Sequence, residues 1–104
     1  GTIPTEIGIL SSLSSLSLAE NGLHGTIPTE IGKLSSLANL ILNDNHLSDI
    51  IPSELGQLRF VFNSFFGSAL DLSTNHLSGI IPTELGALTN HEATLNLSSN
   101  IFTG

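Results

Sequence analysis

The chain contains no cysteine, tryptophan or tyrosine, and its only basic residues are Lys33 and Arg59. Without cysteine, disulfides and thiolate metal sites are excluded within these 104 residues, and the redox compartment leaves no mark. Nine carboxylates against two bases give a net charge of −7 at pH 7. That average field repels phosphate, so nucleic acid and anionic membrane surfaces are poor partners. No apolar run approaches the roughly 18 residues of a membrane span. The N-terminus carries no basic patch followed by an apolar core, as a signal peptide would. The five phenylalanines are the only aromatics, which removes Trp and Tyr, two of the three usual hot-spot residues of an interface.

What is present is repetition. Gly1-Thr2-Ile3-Pro4-Thr5-Glu6-Ile7-Gly8 recurs residue for residue as Gly25-Thr26-Ile27-Pro28-Thr29-Glu30-Ile31-Gly32, and more loosely from Ile50 to Gly56 and from Ile80 to Gly86. Pro4, Pro28, Pro52 and Pro82 are spaced by 24, 24 and 30 residues; Asn21, Asn45, Asn75 and Asn100 by 24, 30 and 25. A fixed internal period marks structural units that lean on one another. The repeats are read as 1–24, 25–48, 49–78 and 79–104, the third with a six-residue insertion. The chain starts inside one repeat and stops in the opening of another. It is therefore expected to be an uncapped piece of a longer protein, whose apolar ends favour self-association.

Within each unit Leu13-Ser-Ser-Leu16-Ser-Leu18-Ala-Glu-Asn21-Gly-Leu23 and Leu37-Ala-Asn-Leu40-Ile-Leu42-Asn-Asp-Asn45-His-Leu47 fit the pattern L-x-x-L-x-L-x-x-N-x-L. Leucines two apart face one side of a strand, so Leu16 and Leu18 turn inward and stacked repeats form a parallel sheet. Leu10, Leu13, Leu34, Leu37 and Leu58 are expected to line the core from the opposite side. The prolines, with fixed φ and no N–H, suit the entry to a short helix or 3₁₀ turn. Gly8, Gly32, Gly56 and Gly86 are expected to permit the exit. The asparagine column Asn21, Asn45, Asn75 and Asn100 is structural: a side-chain amide both donates and accepts. Asn21, Asn45 and Asn75 are expected to pair buried main-chain groups of their own and adjacent coils.

With its G-x-I-P-x-E-[IL]-G segment, the unit resembles the plant-type leucine-rich repeat of receptor ectodomains and related secreted proteins, over essentially the whole chain. The resemblance implies an α/β solenoid: a right-handed coil with a short-stranded parallel β-sheet on the concave face and short helical or 3₁₀ turns on the convex face. It also implies a non-catalytic module that recognises a protein or peptide ligand at an extracellular or cell-surface location, with no cofactor and no metal. No kinase motif is present, so no kinase activity follows.

On this pattern the concave strip comprises Ser15, Ser17 and Ala19; Asn39, Ile41 and Asn43; Ala69, Asp71 and Ser73; Thr94, Asn96 and Ser98. These twelve side chains are small and mostly neutral, fewer than the roughly 20–30 per side of a standard interface. The plainer reading is a spacer between binding repeats. The insertion offers a second candidate surface in Phe62, Phe65 and Phe66, beside Phe60, since aromatics anchor interfaces; the plainer reading is that they plug a gap left by missing leucines. Asn96-Leu97-Ser98 is the one N-x-[ST] sequon, a glycan acceptor if the chain is secreted.

Glu6, Glu30, Glu54 and Glu84 form a column that could hold a cation, but a carboxylate in a first helical turn is explained by the helix dipole alone. His46 and His76 occupy matching positions, His24 and His91 scattered ones. Two histidines fall short of a metal site, and solvated loop residues is the simpler account. Thr5, Thr29, Ser53 and Thr83 allow one alternative function, a structural or ice-binding solenoid using a hydroxyl ladder.

Overall fold

The computed structural model describes residues 1–58, 68–89 and 93–103. The phenylalanine-rich insertion, with Phe60, Phe62, Phe65 and Phe66, and also His91, lie outside the described residues. Each coil carries one strand of a first sheet, one strand of a second sheet, and a 3₁₀ turn. The strands are β1 (Ser15–Ser17), β2 (His24–Gly25), β3 (Asn39–Ile41), β4 (His46–Asp49), β5 (Ser68–Asp71), β6 (His76–Gly79), β7 (Ala93–Asn96) and β8 (Ile101–Phe102). The 3₁₀ turns are η1 (Thr5–Ile9), η2 (Thr29–Lys33), η3 (Ser53–Gln57) and η4 (Thr83–Thr89). The order β1-β3-β5-β7 makes the concave sheet, and β2-β4-β6-β8 a second parallel sheet beside it. Among the described residues all strand pairing is parallel and each coil pairs only with its neighbours, as expected of a solenoid.

The core is a stack of leucine and isoleucine. Ile31, Leu34, Leu37, Leu40, Leu42, Leu47, Ile51, Leu55, Leu58, Leu72 and Leu77 are fully buried, each worth about 1.5–3 kcal/mol relative to exposure. The equivalents in the first coil, Leu13, Leu16, Leu18 and Leu23, are only partly buried, because they have a neighbour on one side alone. Leu10 departs from its expected role: it is 49% exposed, where its counterparts Leu34 and Leu58 are buried. The same one-sided packing explains it.

The turns are built as the proline column implies. Pro4, Pro28 and Pro52 cap them in extended conformation, φ −74°, −70° and −68°. The glycines do something other than release the chain. Gly32 and Gly56 sit inside η2 and η3 without positive φ. A Cβ on Gly32 would lie 2.7 Å from the Glu54 carbonyl oxygen, and one on Gly56 2.6 Å from Glu84 Cβ. Glycine is needed there so that successive convex turns can close on each other.

The asparagine column ties coil to coil. Asn45 Oδ1 accepts from the amides of Asn21 and Leu23 (3.0 Å each), and its Nδ2 donates to the carbonyls of Leu18 and Leu42 at 3.0 and 3.1 Å. Asn75 repeats this with the Leu47 amide and the Leu42 and Leu72 carbonyls, and Asn100 with the Leu77 amide and the Leu72 and Leu97 carbonyls. Asn21 differs from expectation. It is exposed, and its Nδ2 donates only within its own coil, to the Ala19 carbonyl at 2.9 Å.

Candidate functional site on the concave face

Register places the strip in rows. Ser15, Asn39, Ala69 and Thr94 are successive Cα partners along one row, and Ser17, Ile41, Asp71 and Asn96 along the next. Alternation makes this inevitable: Leu16, Leu40, Leu70 and Leu95 form the intervening row that faces the core. Ser15 and Ser17 are exposed; Asn39, Ile41, Asn43, Asp71 and Asn96 are half-buried.

Not every residue of the strip is available. Ser73 is buried, at 8% exposure, and is corrected from the outward-facing set. Asp71 Oδ1 accepts from both the Ser73 amide (3.0 Å) and its hydroxyl (2.6 Å), folding the serine against the strand end. The fourth coil repeats the device with Asn96 Oδ1, the Ser98 amide (3.2 Å) and the Ser98 hydroxyl (2.8 Å). The sequon asparagine thus closes a local turn through its carbonyl oxygen. What remains is a shallow, largely neutral surface suited to hydrogen bonding and to one apolar contact at Ile41.

The second sheet was not anticipated, and it relocates the histidines. His24 begins β2 in register with His46 on β4, so it is neither scattered nor on a loop. The exposed His46 and His76 rings stack with centroids 5.5 Å apart and planes 9° apart, Nδ1 of one 3.4 Å from Nε2 of the other. Among the described residues no group of three His, Asp or Glu converges as a metal site would need. The recurrent Asn-His-Leu-Ser at 45–48 and 75–78 was the available signal for these strands; too few residues alternate for periodicity to reveal them.

The hydroxyl ladder is also occupied. Thr5, Thr29, Ser53 and Thr83 each donate to the adjacent glutamate, at 2.8, 3.2, 3.4 and 3.4 Å.

This repeating geometry, with its leucine core and asparagine ladder, defines a class, and the family model for Leucine Rich Repeat matches residues 12–34, 36–58 and 68–88. The chain belongs to the leucine-rich repeat family. Among solved structures it is similar to the plant peptide hormone receptor RGFR1 in complex with RGF2, at 41% identity and TM-score 0.88, covering 99% of this chain and 16% of that one. It is similar to the BIR3–SERK2 complex from Arabidopsis thaliana, at 37% identity and TM-score 0.85, covering 100% of this chain and 52% of that one. A plant ice-binding protein matches at 38% identity and TM-score 0.85, covering 99% of this chain and 31% of that one. The chain therefore spans between 16% and 52% of the length of these three structures. No curated protein sequence matches it.

Proposed function

We propose that the chain is a non-catalytic recognition segment of an extracellular or cell-surface receptor-like protein, taking a peptide or protein ligand along its concave sheet. The observation that carries this is the 41% identity across 99% of the chain to a receptor whose structure holds a peptide hormone. The strip Ser15, Ser17, Asn39, Ile41, Asn43, Asp71, Thr94 and Asn96 supplies the contacts; a glycan on Asn96 would take that residue out and block the strip at the fourth coil. We read residues 1–104 as one leucine-rich repeat domain with the repeat boundaries given above.

The test is selection of a random peptide library on the purified chain, followed by titration of the enriched peptides. Ile41→Ser should weaken them about tenfold, the loss of one buried apolar anchor. Enriched peptides indifferent to both Ile41→Ser and Asn39→Ala would overturn the concave assignment.

A second reading, an ice-binding solenoid, rests on the similar plant ice-binding protein. Here the ladder hydroxyls are bonded to carboxylates rather than presented free, which favours the first reading. Inhibition of ice recrystallisation by the chain would reverse that preference.

A further inference from the structure

Among the described residues, the exposed large apolar side chains beyond the first coil lie on or directly after the second sheet, away from the concave strip. They are Ile50, Ile80 and Ile101, at 56%, 72% and 63% exposure. Ile50 and Ile80 directly follow β4 and β6 and occupy the same place in successive coils, where the first two coils have Thr2 and Thr26. Ile101 lies on β8, in register with Ser78. Ile50 also leans over the next strand, its Cγ2 2.9 Å from where a Cβ on Gly79 would stand. The flank thus changes from threonine to isoleucine at the third coil. Single exposed apolar residues are ordinary, but aligned ones mark an interaction surface.

Beside Ile50 runs a groove of about 290 Å³, lined by Thr26, Asp49, Ile50, Pro52 and Glu54 among others. Asp49 Oδ1 accepts from the Ile50 amide at 2.9 Å, and Glu54 accepts from Ser53. Among the described residues no cation pairs with either carboxylate. Asp49 also holds φ +69°, where its equivalents in the second and fourth coils, Gly25 and Gly79, stand at +81° and +75°. An aspartate is thus kept at a backbone position that favours glycine, at the rim of an apolar groove.

We propose that this flank is a second docking surface, for a basic protein segment that seats an apolar side chain against Ile50 and places a cation beside Asp49 and Glu54. Charge selects this occupant over a second copy of the chain. At a net charge of −7 two copies repel, whereas a basic segment is attracted and oriented. The inference uses the recognition reading only in taking the chain for a binding module, and concerns a different face.

The test is fluorescence anisotropy of the 104-residue chain with three labelled synthetic peptides: alternating Lys and Leu, alternating Lys and Ser, and alternating Glu and Leu. The Lys–Leu peptide should bind, with affinity falling as salt rises, since rim charges are screened. Ile50→Thr should weaken it about tenfold and Asp49→Gly about threefold. Both replacements are residues that other coils carry at the same place, so folding is preserved. Ile41→Ser should leave this binding unchanged, which separates it from the concave reading. Equal binding of the Lys–Ser peptide would reduce the effect to bulk charge and overturn the proposal. Binding of the Glu–Leu peptide, or insensitivity to Ile50→Thr, would do the same. So would sedimentation showing a dimer of the chain that Ile50→Thr dissociates.

Discussion

The side-chain amide of Asn45 serves two coils at once, accepting from the Asn21 and Leu23 amides and donating to the Leu18 and Leu42 carbonyls. Asparagine is suited to this because its two amide functions point apart and neither carries charge into the core. Removing it strands several main-chain groups that are buried or partly buried, each costing about 1–3 kcal/mol when unpaired. Asn45→Ala should therefore lower unfolding free energy by about 2–4 kcal/mol, with some of the loss recovered by water. Asn21→Ala, which loses one exposed bond, should cost under about 1 kcal/mol. Urea denaturation of the two variants checks the contrast; equal losses would mean that the ladder does not bind the coils. The motif alone identified this column. That Asn21 would stand outside the ladder depended on a neighbouring coil, which no single residue encodes.

At the level of elements, successive convex turns press directly on one another, and glycine is what allows it. With a Cβ at Gly32 only 2.7 Å from the Glu54 carbonyl, one turn must shift outward and loosen Ile31 and Leu55 beneath. Gly32→Ala should destabilise by about 1–3 kcal/mol, as overpacking does elsewhere, despite alanine being the better helix former. Thermal unfolding checks it, and a neutral or stabilising result would show that the turns have room. Periodicity placed the first sheet correctly because Leu-x-Leu alternates over a recognisable window. It missed the second, whose strands run only two to four residues. Their hydrogen bonds are supplied by the stacking of coils, as in the His46 amide donating to the Leu23 carbonyl at 2.7 Å.

For the whole molecule, stability is a sum over coils and the interfaces between them. The second coil has neighbours on both sides and its leucines Leu37, Leu40, Leu42 and Leu47 are fully buried; those of the first coil are not. The amides of Leu18 and Leu42 make equivalent bonds of 2.8 Å, to Ile41 and Asp71. Any difference in their hydrogen exchange must therefore come from packing. Leu42 should exchange at least about tenfold more slowly than Leu18. Identical protection would indicate that the stack opens only as one unit.

The amino-acid order alone carries the period, the leucine interior, the proline-led turns and the asparagine column, because each recurs at fixed offsets and each has a local physical cause. It also determined the acidic balance that decides which partners are attracted. The packing of coil on coil settled what those residues meet. It put Ser73 under Asp71 and His46 against His76, pressed glycine against the next turn, and left Ile50 and Ile80, which the repeat already matches, exposed on one flank. Those outcomes follow from the lateral stacking of coils, which brings together residues some 24 to 30 positions apart, beyond the reach of any local pattern.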